Sequence, residues 1–195
     1  MTATTTTTQT TTKPDHGPAV HPETRQLLYT YVSAISKGDP SETGGCERRW
    51  FLRYVKRMPE PVMAYQETGI KGHAQAAHYL ATGEDVLGLV MRAGKHLMPV
   101  PGADLLVEQP FGNVLTAAGV PLVGFMDLVQ NRGTYVTPEG LLLPDPQGTV
   151  EVVDHKTTSD IKWAKPAEQV AETTQMTGYG EWVRRKFPDT EFVRL

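Results

Sequence analysis

An acid and a lysine two residues apart form the first group in this sequence that could do chemistry. Asp154 and Lys156 belong to the run at residues 150–156, whose β-branched start predicts a strand that ends in polar residues. Residues two apart in a strand share a face, so Asp154 and Lys156 would project together while His155 points away. A carboxylate can hold a divalent cation, and a neighbouring ammonium can orient water or offset negative charge that develops in a reaction. A surface ion pair is the alternative, and it is the commoner interpretation of the triplet alone.

Two further acids stand in apolar surroundings. Asp127 lies in the run at residues 123–129, where burying a carboxylate without a partner is costly. A cation shared with Asp154 would supply that partner, and a solvent-facing position on an edge strand is the alternative of equal weight. Glu108 is either a third carboxylate of the same site or an exposed strand residue.

Polar side chains on two predicted helices could complete this site. His73 follows Gly69 and Gly72, and a glycine costs about 1 kcal/mol relative to alanine inside a helix, so close packing of backbone or ligand would explain the pair. His73 could then bind a metal, although a lone histidine is more often structural. Gln175 and Tyr179, four apart on one helix face, can hydrogen-bond a phosphate, a base or a metal-site carboxylate, or simply pack with polar tips.

Basic residues cluster at two places. Residues 46–57 carry five positive side chains and one acid, and residues 184–186 add three more where cations favour the end of a helix. Solvated helix faces would explain both clusters. The alternative is a track that contacts phosphates beside the acidic site, because a chain with a net charge of −3 can attract a polyanion only locally. The best candidates for that track are Arg48, Arg49, Arg53, Lys56, Arg184 and Arg185.

The elements that must position these residues follow from periodicity and chain breakers. Apolar residues at helical spacing predict helices over residues 24–35, 46–57, 65–81 and 164–187. Strands are predicted over residues 104–111, 115–117, 120–130 and 150–156, with another starting at residue 192. Residues 131–149, rich in Gly and Pro, predict a long hairpin or an irregular insertion. Helices, then strands, then a helix indicate an α/β or α+β domain.

Composition limits the class of protein. The length of 195 residues fits one domain plus tails, and a hydrophobic content of 39% is enough for a core. Nine of the first twelve residues are threonine, so we expect residues 1–22 to be a disordered tail and residues 23–195 to be a single domain. The sequence has no apolar stretch of membrane-spanning length and no secretory pattern, which favours a cytoplasmic protein.

Five motifs, taken in order, resemble the RecB-like branch of the PD-(D/E)xK nuclease superfamily, and the similarity covers residues 41–187. They are the opening Cys-basic-aromatic helix at residues 46–54, the G-x-x-G-H histidine motif at 69–73, the G-x-x-D strand at 124–129, the D-x-K-T strand at 152–158 and the Q-x-x-x-Y helix at 175–179.

The resemblance implies an α/β, restriction-endonuclease-like fold, with a central mixed sheet flanked by helices. It also implies a Mg²⁺- or Mn²⁺-dependent deoxyribonuclease, an exonuclease rather than an endonuclease, that acts in recombination, repair or phage DNA processing. Lys156 would position or activate water, while Gln175 and Tyr179 would shape the DNA side of the site. The implied metal ligands are His73, Asp127, Asp154 and the backbone carbonyl of His155, with Glu108 as a further candidate.

The resemblance also implies partners and leaves one alternative function. DNA and a helicase or recombination protein are the expected partners, in the cytoplasm of a bacterial or phage-infected cell and away from membranes. Relatives with an iron–sulfur cluster use four cysteines, so a chain whose single cysteine is Cys46 cannot build that cluster alone, and we expect a packed thiol instead. The alternative is a non-catalytic DNA-binding or scaffold module of the same fold, which the joint presence of Asp127, Asp154 and Lys156 disfavours.

Overall fold

A computed structural model describes most of the chain and shows an α/β protein. The described residues are 18–41, 45–59, 64–102, 104–131, 134–136, 141–144, 148–157, 160, 162 and 164–195. Within these ranges a six-stranded mixed sheet is accompanied by a separate two-stranded ribbon and by six α-helices. None of the helices in these ranges is long and apolar enough to cross a membrane.

A long antiparallel hairpin, made of β3 (Leu105–Leu115) and β4 (Pro121–Gln130), forms the centre of the sheet. On the other edge of β4, β2 (Leu27–Tyr31) runs parallel to its start and β7 (Thr149–Val153) runs antiparallel to its end. The outer strands are β1 (Ala19–Val20) beside β2 and β8 (Phe192–Arg194) beside β7.

This arrangement leaves a gap in the sheet. The pairing with β2 stops at Val123, and the pairing with β7 begins at Leu128. Among the described strands, none pairs with Gly124 to Asp127 on that edge of β4. At this gap, polar side chains can lie within an otherwise continuous sheet.

Helices supply the remaining packing surfaces. The helices are α1 (Val32–Gly38), α2 (Glu47–Trp50), α3 (Ala64–Thr82), α4 (Leu89–Ala93), α5 (Ala167–Ala171) and α6 (Thr174–Lys186). A π-helical turn over Phe51–Val55 continues α2, and a 3₁₀ turn over Lys95–Leu97 follows α4. The ribbon consists of β5 (Thr134–Val136) and β6 (Leu142–Pro144). The main core joins α1 and α6 to the sheet, with Val32, Met126, Val129, Val152, Trp182 and Val183 among its buried members.

Several predicted elements are confirmed. The helix predicted over residues 65–81 is α3, and Gly83 follows its end with a φ of 79°, as a helix-terminating glycine should. The strands predicted around the turn at residues 118–119 form the β3–β4 hairpin. The hairpin expected within residues 131–149 is present as β5 and β6, and part of that segment lies outside the described residues.

Other predictions are wrong or only partly right. Residues 24–35 were expected to be one helix, but residues 27–31 form β2, because an aromatic and β-branched segment gains more from two strand neighbours than from helical spacing. The helix expected over residues 164–187 is broken, since the Thr173 side chain caps a new helix by accepting a hydrogen bond from Met176 N. The strand expected over residues 150–156 ends at Val153.

Two predictions near the start of the chain also need correction. The disordered tail was expected to reach residue 22, but Pro18 is buried and Ala19–Val20 pairs with β2. Residues 1–17 lie outside the described residues. Cys46 was expected to be packed, but it is exposed, since it directly precedes α2 at the surface.

Candidate active site

The register of the sheet sets three acids side by side. Leu128 pairs with Val153, so the next position of that ladder puts Asp127 opposite Asp154, just beyond the end of β7. The register of β3 likewise puts Glu108 opposite Asp127 on the other edge. The gap in the sheet therefore coincides with a row of acids drawn from three neighbouring segments.

The predicted site residues come together in one cleft of about 200 Å³. Asp127 and Glu108 reach it from the sheet, and His73 reaches it from α3. The chain after β7 and α6 supply the others, which are Asp154, Lys156, Gln175 and Tyr179. Of the side chains predicted for the acidic site, all line this cleft.

Asp127 is held by hydrogen bonds from two directions. Its Oδ2 atom accepts from the backbone N–H of His155 at 2.6 Å and lies 3.2 Å from Nδ1 of His73. Burial raises the pKa of Asp127, but hydrogen bonds from His155 and His73 outweigh burial and keep that pKa well below its usual range. The hydrogen bond to Asp127 raises the pKa of His73, against the opposing effect of burial. Asp127 is therefore an ionised carboxylate at neutral pH.

Two glycines explain how His73 reaches Asp127. A Cβ atom on Gly69 would lie 3.0 Å from Oγ1 of Thr157, and one on Gly72 would lie 3.1 Å from Sδ of Met91. Gly69 therefore lets α3 pack against Thr157, which follows β7, and Gly72 lets it pack against Met91 of α4. The close packing that the sequence predicted for the glycine pair is confirmed.

Asp154 is more buried than Asp127, since its side chain is 6% exposed and that of Asp127 is 15% exposed. Its Oδ2 forms an ion pair with Lys156, whose own side chain is 67% exposed. Its Oδ1 accepts a hydrogen bond of 2.9 Å from Nε2 of Gln175 and lies 3.4 Å from the hydroxyl of Tyr179. Of the roles open to Gln175 and Tyr179, binding a carboxylate of the site is the one their contacts match.

Tyr179 also ties α6 to the gap in the sheet. Its hydroxyl lies 3.1 Å from the carbonyl oxygen of Phe125, within hydrogen-bonding distance of a backbone group in the unpaired part of β4. Its ring packs edge-on against Phe111 with the ring centroids 5.4 Å apart. Gly124 makes room for Phe111, since a Cβ there would lie 2.5 Å from Cε1 of that ring. Burial, followed by the charge of Asp154, raises the pKa of Tyr179, so its phenol stays protonated.

The side chain of His155 is a site residue that the sequence reasoning missed. Alternation along a strand predicted that it points away, but β7 ends at Val153 and alternation no longer applies. Nδ1 of His155 lies 3.6 Å from Oδ2 of Asp127, and its ring lies edge-on to that of His73. The change from a β-branched run to polar residues at Asp154 was the available signal that the strand had ended.

The basic residues predicted to contact DNA line a different groove. Arg48, Arg49 and Arg53 surround a groove of about 310 Å³ beside α2, together with Cys46 and other residues. None of these arginines is among the described residues that line the acidic cleft. They stay candidates for phosphate contacts outside the cleft.

A second acid–lysine pair shows how much context matters. Asp160 and Lys162 repeat the spacing of Asp154 and Lys156 and also form an ion pair, at 3.0 Å. Both side chains are exposed, by 43% and 65%, and neither is among the described lining residues of the cleft. This pair is the surface ion pair that chance predicts for such a triplet.

The cleft contains the types of ligand atom that a divalent cation binds, although these atoms contact other protein groups in the structure. Carboxylate oxygens with an imidazole are the ligands that Mg²⁺ and Mn²⁺ accept. No three His, Cys, Asp or Glu residues within the described ranges are arranged as a ready metal cluster. In the structure Lys156 contacts Asp154 and His73 contacts Asp127. A cation would have to displace both contacts.

Comparisons with known proteins identify no relative of this chain: no family model matches it, and neither a curated protein nor a solved structure matches it significantly.

Proposed function

We propose that this protein is a divalent-metal-dependent nuclease of the PD-(D/E)xK type that hydrolyses phosphodiester bonds in DNA. We propose an exonuclease rather than an endonuclease. The observation that carries the proposal is the convergence of Asp127, Asp154 and Lys156 in one polar cleft at a gap in the sheet. These are the acids and the lysine that the resemblance assigns to catalysis. Two further chain segments, α3 and α6, bring His73, Gln175 and Tyr179 of the same motifs to this cleft, whereas the opening motif lies at a different groove.

The resemblance implies the metal ligands, and the contacts suggest the roles of the other residues. Asp127 and Asp154, with His73 and the carbonyl of His155, would hold a Mg²⁺ or Mn²⁺ ion, which supplies Lewis acidity and lowers the pKa of bound water. Gln175 fixes the carboxylate of Asp154 by donating a hydrogen bond to Oδ1, and the hydroxyl of Tyr179 lies 3.4 Å from the same oxygen. Lys156 is tethered to that carboxylate but largely exposed, so its ammonium can reach a phosphate oxygen and offset the charge that develops there.

A cleavage assay tests the proposal. The purified full chain would be incubated with end-labelled linear DNA and with circular DNA, in Mg²⁺, Mn²⁺ or EDTA. We expect loss of linear DNA that requires metal and is abolished by Asp154→Ala. An exonuclease leaves the closed circle intact, whereas an endonuclease cuts it. The matched control is Asp160→Ala, which removes an acid of the same D-x-K spacing outside the cleft.

One observation favours a second candidate, a DNA-binding module without catalysis. The ion pair between Lys156 and Asp154 occupies a carboxylate oxygen that a metal would need. This candidate predicts DNA binding without cleavage in either metal, and no increase in thermal stability when metal is added. A stability increase with Mn²⁺ that Asp154→Ala removes would favour the nuclease instead.

A further inference from the structure

A second cleft, of about 430 Å³, lies between α2 with its π-helical turn and the β1–β2 region. We call it the aromatic cleft. Its volume is within the range of ligand pockets. Its described lining combines apolar side chains with two cations and no acid, and includes Arg25, Leu27, Trp50, Phe51, Val55 and Lys56. No motif in the sequence predicts it.

Phe51 is the exposed ring of this cleft. Its side chain is 44% exposed, although its neighbour Tyr54 is buried and Trp50 packs in the same core cluster. The ammonium of Lys56 lies 5.6 Å from the centroid of the Phe51 ring. An exposed cation–π contact of this kind is weaker than the stacking of a base on an aromatic ring, so a base can displace or share it.

Arg25 is held at the rim by a structured turn. Its φ of 61° lies in the left-handed region, which is unfavourable for a residue with a Cβ. Backbone hydrogen bonds from Arg25 N to His21 O and from His21 N to Gln26 O close the turn. The ring of His21 accepts a further hydrogen bond from Thr24 N. Strain of this kind persists where the surroundings determine the conformation, and it is frequent beside ligands.

One strand connects the aromatic cleft to the acidic cleft. Leu27, at the start of β2, lines the aromatic cleft, and Tyr31, at its end, lines the acidic cleft. Four strand residues span roughly 13 Å, about the rise of four stacked nucleotides. The two clefts are therefore separated along β2 by a distance that about four nucleotides span.

We infer that the aromatic cleft is a nucleobase subsite for single-stranded DNA. Phe51 stacks an unpaired base, while Arg25 and Lys56 contact the flanking phosphates, and the strand continues along β2 to the acidic cleft. The inference rests on the proposed nuclease function for the nature of the ligand. An acidic peptide would also match an apolar cleft with a cationic rim, but the shared strand β2 favours the polymer that the acidic cleft would cleave.

Binding in EDTA tests the inference without any cleavage. The wild-type chain would be titrated with a short oligothymidylate and with an abasic strand of equal length, so that the two probes differ only in their bases. We expect tighter binding of the oligothymidylate. Since stacking contributes about 1–3 kcal/mol per base, Phe51→Ala should reduce this preference by about 5- to 150-fold and leave binding of the abasic strand unchanged.

Three further variants complete the design. Phe192→Ala removes a phenylalanine that is 52% exposed on β8 and should not change the preference. Phe51→Leu keeps apolar volume without a ring and should lose the preference even if the alanine variant folds poorly. Lys56→Gln should weaken binding of both probes and reduce the slope of log Kd against log salt by roughly 0.7.

The outcomes separate this inference from the proposed function. Equal preference in wild type and Phe51→Leu, or no preference in a folded wild type, overturns the subsite even if the protein cleaves DNA. A preference that depends on Phe51 in a protein that cleaves nothing supports the subsite and contradicts the nuclease. No binding of single-stranded DNA by a folded wild type also overturns the subsite and leaves the acidic peptide as the better occupant.

Discussion

Replacing Lys156 by alanine should strengthen metal binding while it abolishes cleavage. In the structure the ammonium of Lys156 pairs with Oδ2 of Asp154, so a divalent cation must compete with it for that oxygen. Removing the lysine removes both the competitor and a like charge beside the ion. Asp154 keeps its other support, because Gln175 still donates to Oδ1.

The expected size of the effect follows from exposure. The side chain of Lys156 is 67% exposed, so solvent screens the pair and its contribution is at most about 1 kcal/mol, despite the burial of Asp154. The affinity for Mn²⁺ should therefore rise by up to about 5-fold. The increase should shrink in high salt, which screens the ammonium further. Loss of a group that stabilises the transition state should lower the cleavage rate by about 100-fold or more.

Calorimetric titration with Mn²⁺, alongside single-turnover cleavage, measures both effects. Lys162→Ala is the matched control, because it breaks an ion pair of the same spacing outside the cleft and should change neither quantity. Weaker Mn²⁺ binding by Lys156→Ala would show that the lysine supports the site rather than competes with the ion. Cleavage at the wild-type rate would reduce Lys156 to an ordinary ion-pair partner.

Three further predictions test the supports of the site. Gly124→Ala should destabilise the fold by about 1–3 kcal/mol in urea unfolding, because its Cβ would meet the buried ring of Phe111. Gly112→Ala is the control, because nothing lies within 4 Å of a Cβ at that position. Equal effects of the two substitutions would contradict the packing of Gly124 against Phe111. Glu108 has a φ of 51°, so Glu108→Gly should be at least as stable as Glu108→Ala, whereas glycine is normally about 0.5–1 kcal/mol worse in a strand. In metal-free protein the raised pKa of His73 stabilises the fold most below about pH 6.5, and this stability is lost as the pH rises through that pKa. The difference in unfolding free energy between wild type and His73→Gln should therefore shrink with rising pH. A difference that grows with pH would refute the contact with Asp127.

The sequence predicts which residues line the acidic cleft better than it predicts how they contact each other. Asp127 could be found because a carboxylate inside an apolar strand needs a partner, and the glycines before His73 indicated close packing that the structure confirms. The contact between Lys156 and Asp154 followed from strand spacing, although β7 ends before both residues. The side chain of His155 could not be found this way, since alternation assigned it to the opposite face.

Tertiary pairing accounts for the largest error in the fold. Residues 27–31 have apolar side chains at spacings that suit a helix, and only the neighbouring strands β1 and β4 make them a strand. The aromatic cleft depends on that same pairing, because Leu27 contributes to its lining only as part of β2. Local periodicity cannot supply such a contact between residues that are far apart in the sequence.

The gap in the sheet explains why polar chemistry is concentrated at this place. Where none of the described strands pairs with one edge of β4, its polar backbone groups need other partners or water. The hydroxyl of Tyr179 lies within hydrogen-bonding distance of the carbonyl of Phe125, and the backbone N–H of His155 donates to the carboxylate of Asp127 instead of to a strand ladder. Polar side chains therefore lie at this place, whereas the core side chains of the rest of the sheet are apolar. Asp127 is ionised there because it accepts hydrogen bonds that lower its pKa, and a cation would take the place of displaceable donors such as His73.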